Sequence, residues 1–115
     1  MDVSYVFAGL AVSDRDQAAD WYSRLLGRPA DMFPNDAEAA WQLAESASLF
    51  LRADPGRAGQ GTIALVVTDL EAEVAQVAAR GVATGPVEQV GEAGIKCVVT
   101  DPDGNSVELV QLNHA

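Results

Sequence analysis

The sequence predicts an α+β domain of two βαβββ modules, which together form a cup-shaped, partly open mixed β-barrel with helices outside. Three observations carry this. Runs rich in β-branched residues alternate with two stretches of helical period. The order strand–helix–strand–strand–strand occurs twice. Paired motifs mark the repeat: LAVSD at 10–14 matches LVVTD at 65–69 in type, and SLFL at 48–51 matches SVEL at 106–109. A repeat of this length implies two similar units related by a pseudo-twofold axis. Each unit alone would leave one sheet face uncovered, so the two share a core, and their inner faces make the cup. At 115 residues the chain is one domain. Module one covers about 1–53, a linker 54–61, and module two 62–115.

SYVFAGLAV (4–12) reads as the first strand. SDRDQAADWYSRLLG (13–27) reads as a helix capped by Ser13 or Asp14 and closed by Gly27. Its apolar stripe is Ala18, Trp21, Tyr22, Leu25 and Leu26, with Trp21 and Tyr22 expected in the core. ADMF (30–33) is a short strand, and EAAWQLA (38–44) and ASLFLRA (47–53) are two longer ones. DPGRAGQG (54–61) is turn material. TIALVVT (62–68) restarts the pattern as a strand. DLEAEVAQVAARG (69–81) is a helix with Leu70, Val74 and Val77 on one face. GPVEQV (85–90) holds a short strand. IKCVVT (95–100) and SVELVQL (106–112) are strands joined by DPDGN, where Pro102, Asp103 and Gly104 suit a tight turn.

The totals narrow the function. Seventeen acidic against seven basic residues give a net charge of −10, which argues against nucleic acid and against an anionic membrane surface. No apolar run would span a bilayer, and the first residues lack the basic start of a signal peptide, so a cytoplasmic location is expected. The single cysteine, Cys97, is expected as a buried small hydrophobe. The single histidine, His114, is expected in a frayed terminus, and one histidine argues against a catalytic triad and a multi-histidine metal site.

LAVSDRDQAADWYSRLLG, IALVVTDLEA and DPDGNSVELVQ, in this order and at these distances, resemble the vicinal-oxygen-chelate superfamily. That group includes glyoxalase I, extradiol dioxygenases and bleomycin-binding resistance proteins. The resemblance covers almost the whole chain. It implies a metal in the cup of the metal-dependent members, on one side chain from each of four strands. Carried over residue by residue, those positions are Phe7, Phe50, Thr62 and Glu108. Only Glu108 is a strong ligand, so the expectation is no metal and no cofactor.

Without a metal the cup is expected to take a small molecule. The resemblance places Phe7, Phe50, Thr62 and Glu108 on one cavity, and strand parity adds Tyr5 and Arg52 to it, with Trp41 on either face. Aromatic walls suit a planar or cationic ligand. The leading reading is a metal-free binding protein resembling the drug-binding resistance proteins. One alternative is a metal-independent lyase or isomerase with Glu108 as general base. Another is a divergent glyoxalase-like metalloenzyme. Two bland readings stand beside these: the two Phe side chains simply fill the cup, and Glu108 pairs with Arg52 or Lys96. The resemblance further implies a homodimer.

Overall fold

A computed structural model describes residues 1–113 of the chain; His114 lies outside them. The element order is β1 (Val6–Val12), α1 (Arg15–Leu26), β2 (Met32–Asn35), β3 (Glu38–Ala44), β4 (Ala47–Ala53), β5 (Thr62–Val66), α2 (Leu70–Ala79), β6 (Val87–Val90), β7 (Gly94–Thr100) and β8 (Ser106–Leu112). The strands form two four-stranded mixed sheets, ordered β1-β4-β3-β2 and β5-β8-β7-β6. Each sheet is one module, and neither closes into a barrel. In each, the first strand lies parallel to the last, and the remaining pairs are antiparallel. No described helix is long and apolar enough to cross a membrane.

The two helices start alike. Asp14 accepts a hydrogen bond from the Gln17 N–H, and Asp69 does the same for Ala72. Each carboxylate satisfies a first-turn N–H that the helix itself cannot. Gly27 ends α1 at φ 80°, a left-handed conformation that costs an L side chain energy. Pro34 sits in β2, an edge strand, where its missing N–H costs no ladder bond.

One face of each sheet packs on the helices. In module one this face carries Leu10, Val12, Trp41, Leu49 and Leu51, buried with Tyr22 and Leu25 of α1. In module two it carries Cys97, Val99, Val107 and Leu109, buried with Leu70 and Val77 of α2. The helices meet near their C-termini, where the Arg80 guanidinium donates to the carbonyls of Arg24 and Leu25. The opposite face of each sheet carries large exposed apolar side chains, with Phe7 62% and Val66 63% exposed.

The modules join along a seam between β1 and the start of β5. Gly61 sits so close to Leu10 that an added Cβ would lie 2.6 Å from the leucine side chain. Asn105 spans the seam: its amide donates to the Ala11 carbonyl and its side-chain oxygen accepts from the Gly61 N–H, both at 2.8 Å. Ser13 adds two bonds to the Asp103 carboxylate.

Candidate functional site

Register decides which side chains share the open face of module one. Phe7 lies beside Ser48 and Gly9 beside Phe50 across the parallel β1–β4 pair. A Cβ on Gly9 would stand 2.3 Å from the Phe50 ring, so the absent side chain lets that ring lie against β1. The Arg52 guanidinium is 5.1 Å from the Phe50 ring centroid, within cation–π range. Arg52 is also held by Glu38 at 2.8 Å. Hydrogen bonds, first from Asn35 and then from Arg52, keep the Glu38 carboxyl below its ordinary range. Tyr5 leans on Phe7, with ring centroids 4.8 Å apart, and its hydroxyl bonds that of Ser48. A cavity of about 460 Å³ opens here, lined by Tyr5, Phe7, Met32, Ala40, Gln42 and Ser48 among others.

The open face of module two is ionic. Glu108 meets Lys96 at 3.4 Å, both about a quarter exposed, with Glu88 opposite Lys96 on the edge strand. Thr62 is exposed beside Ser106. Two sequence expectations change at this point. No cavity described here is lined by Phe7, Phe50, Thr62 and Glu108 together. The sheets lie side by side along the seam, so two of these residues belong to one open face and two to the other. Trp41 belongs to neither: it is fully buried behind the sheet, near Tyr22, and its indole N–H donates to the Arg28 carbonyl. The same alternation that puts Ala40 and Gln42 on the open face sends Trp41 to the helix. Of the pairings considered for Glu108, the structure shows Lys96, while Arg52 is taken by Glu38.

These residues do not fit a metal. Phe7 and Phe50 carry no donor atom, Thr62 offers a neutral hydroxyl, and the Glu108 carboxylate already faces an ammonium. Among the described residues no three His, Cys, Asp or Glu side chains gather into a metal-holding group. Cys97 is buried as expected, and its thiol donates to the Gly85 carbonyl. Burial pushes that thiol up, and the nearby Glu88 adds to the effect while the hydrogen bond opposes it.

One cluster went unread in the sequence beyond its turn. Asp101 is buried and accepts from the Tyr22 hydroxyl, the Asn105 side-chain amide and the backbone N–H groups of Asp103 and Asn105. Burial raises the Tyr22 hydroxyl far above its ordinary value, and the Asp101 charge raises it further. The signal in DPDGN was an Asn after the glycine, a polar residue at the first pleat of an apolar strand.

The glyoxalase-like domain family model matches residues 6–110. A search of curated proteins finds no match. Among solved structures, a glyoxalase / bleomycin resistance protein from Catenulispora acidiphila DSM 44928 is 33% identical with a TM-score of 0.89, covering 97% of this chain and 100% of that one. The antibiotic-binding protein TnmS3 from Streptomyces sp. CB03234 is 24% identical with a TM-score of 0.76, over 98% of this chain and 97% of that one. A bleomycin-binding protein complexed with bleomycin is 22% identical with a TM-score of 0.75, over 98% and 100%. The latter two share the fold. On the match across residues 6–110 and the 33% identity over nearly its full length, this chain belongs to the glyoxalase-like domain family, within the vicinal-oxygen-chelate superfamily.

Proposed function

We propose that the chain is a metal-free binding protein that captures a small, partly aromatic, cationic molecule in a cup completed by a second copy of itself. The observation that carries this is the pair of unlike open faces. One is aromatic, with Phe7 and Phe50, and the other carries the Glu108 carboxylate. Each is uncovered in the single chain, and both hold exposed apolar residues, among them Val66, Val90 and Leu112. Apolar area exposed on this scale suits association. A twofold dimer that lays the first sheet of one copy over the second sheet of the other would bring an aromatic wall against a carboxylate, twice. Such a cup stacks a planar ring and hydrogen-bonds its donor group. Fold neighbours that bind antibiotics are consistent with this use of the fold.

Light scattering at tens of micromolar should give a dimer; a monomer would remove the completed cup. Calorimetric titration with bleomycin and with simpler planar cations, on chelator-treated protein, should give saturable binding by at least one. Phe50→Ala should then weaken it by on the order of 1–3 kcal/mol through lost stacking and apolar burial. An unchanged affinity, or binding that appears only after Zn²⁺ or Ni²⁺ is added, would overturn the reading.

A further inference from the structure

The repeat pairs residues of the two modules by register, and it exposes a place where they differ. Leu10 and Leu65 are equivalent, as are Val12 and Val67, because LAVSD and LVVTD align. Ser48 and Ser106 are equivalent across the β1–β4 and β5–β8 ladders. The loop between Thr100 and Ser106 then aligns, at equal length, with the loop between Gln42 and Ser48. Asp101 corresponds to Leu43 and Asn105 to Ala47. Gly61 and Ala11, the two backbone partners of Asn105, correspond to Val6 and Val66.

One end of the seam is therefore filled by Asp101 and Asn105, hydrogen-bonded across it. The other end has a leucine and an alanine in their places, and a cavity of about 440 Å³ lies there. Leu43, Ala47, Leu65 and Val67 line it, with Val6 and Val66 at its edge. Burial repeats the asymmetry. Leu10 is 3% exposed and Val12 fully buried, whereas Leu65 and Val67, their equivalents, are only half-buried. The fold thus leaves core-type side chains partly open at one end of the seam. The lining holds no charged side chain in a chain of net charge −10, and its single polar side chain, Ser48, is already bonded to Tyr5. An apolar guest seated here would remove apolar surface of both partners from water, with no charged group to desolvate. Its size falls within the range of small-molecule sites.

We propose that this seam cavity, centred on Leu43, Leu65 and Val67 and meeting the open faces only at its rim of Ser48, Ala64 and Val66, is a second ligand site for an uncharged apolar molecule of up to three rings. Its recognition is by shape and burial alone, since no side chain there can read charge. An occupant would stand where Asn105 stands at the other end and would tie the first hairpin to β5.

The test uses N-phenyl-1-naphthylamine, an uncharged fluorophore that brightens in apolar surroundings, titrated into the full chain. One saturable molecule per chain is expected. Ala47→Leu, which extends a side chain into the cavity, should weaken it at least tenfold. Phe50→Ala and Glu108→Gln should leave it unchanged. Methyl NMR on the unmutated protein gives a readout independent of any variant's folding: shifts should concentrate at Leu43, Leu65 and Val67 and spare Val98 and Val110. Absence of saturable binding, full retention in Ala47→Leu, or shifts confined to Val98 and Val110 would overturn the proposal. Loss on Phe50→Ala would place the probe on the aromatic face and overturn it equally, while leaving the cup reading intact.

Discussion

The hairpin Asp101–Asn105 and the hairpin Leu43–Ala47 occupy equivalent places at equal length, and their chemistry is opposite. The first is a polar bolt. Its carboxylate gathers four donors, and its asparagine joins the backbones of both modules. The second puts Leu43 and Ala47 in the places of that carboxylate and asparagine, and neither side chain can hydrogen-bond across the seam. A repeated backbone therefore need not share its energetics evenly. Module docking is concentrated at one end, where buried polar groups are fully paired, and the other end is left with space.

The widest gap between the two ends should appear on Asp101→Ala. The change orphans the Tyr22 hydroxyl and two backbone N–H groups, and it leaves the Asn105 amide with only its bond to the Ala11 carbonyl; all are buried or half-buried. Each unpaired donor costs its desolvation, so a loss on the order of 3–4 kcal/mol is expected from urea melts. Leu43→Ala, at the equivalent half-buried position, should cost only about 1–2 kcal/mol, because it removes apolar contact without orphaning a polar group. Equal losses at the two positions would break the comparison.

Tyr22→Phe sharpens it with a pH signature. It removes one hydrogen bond, worth about 1 kcal/mol. Burial and the Asp101 charge raise the folded phenol above its ordinary value of about 10. Between those two values the folded state keeps a proton that the unfolded chain has lost. The stabilisation is thus complete below about pH 10 and falls as pH rises beyond it. Chemical denaturation at pH 9, 10 and 11 should show the native protein losing stability faster than Tyr22→Phe. Parallel slopes would mean that Tyr22 is not the group responsible.

Much of this was legible in the sequence because it rests on local periodicity. The cap at Ser13 or Asp14, the strands and the repeat follow from spacing that a single chain displays. The burial of Tyr22 followed from the helical stripe, whereas the partner of Glu108 stayed open between Arg52 and Lys96 until the sheet pairing placed Lys96 beside it. What escaped reading was the relation between modules. Alternation says that Phe7 and Glu108 both turn from their helices, but it does not say whether the two sheets face each other or lie side by side. That depends on contacts that Asn105 makes with Gly61 and Ala11, which join positions far apart in sequence. Trp41 was ambiguous for a related reason: its face depends on the register of β3, which is fixed by pairing with β4 rather than by its own flanks. Asn105 was read as part of a turn because its partners, Ala11 and Gly61, offer only backbone groups, which leave no mark in residue type.

The smallest effect on stability is expected where the two open faces differ, at Glu108. Its equivalent in the repeat is Phe50. The Glu108–Lys96 pair is long at 3.4 Å and partly exposed. Such pairs contribute under about 1 kcal/mol, so Glu108→Gln should barely move the melting curve. Binding is where it should register. A cationic planar ligand gains from the carboxylate, and its neutral isostere does not. Glu108→Gln should therefore weaken the cationic compound several-fold and leave the neutral one unchanged, whereas Phe50→Ala should weaken both, because stacking is indifferent to a remote charge. Calorimetric titration of the two compounds against the two variants separates the walls. If Glu108→Gln weakened both compounds equally, the carboxylate would be shaping the cup rather than reading charge. If it weakened neither, the ionic face of module two would be a surface pair, and the aromatic face of module one would bind alone.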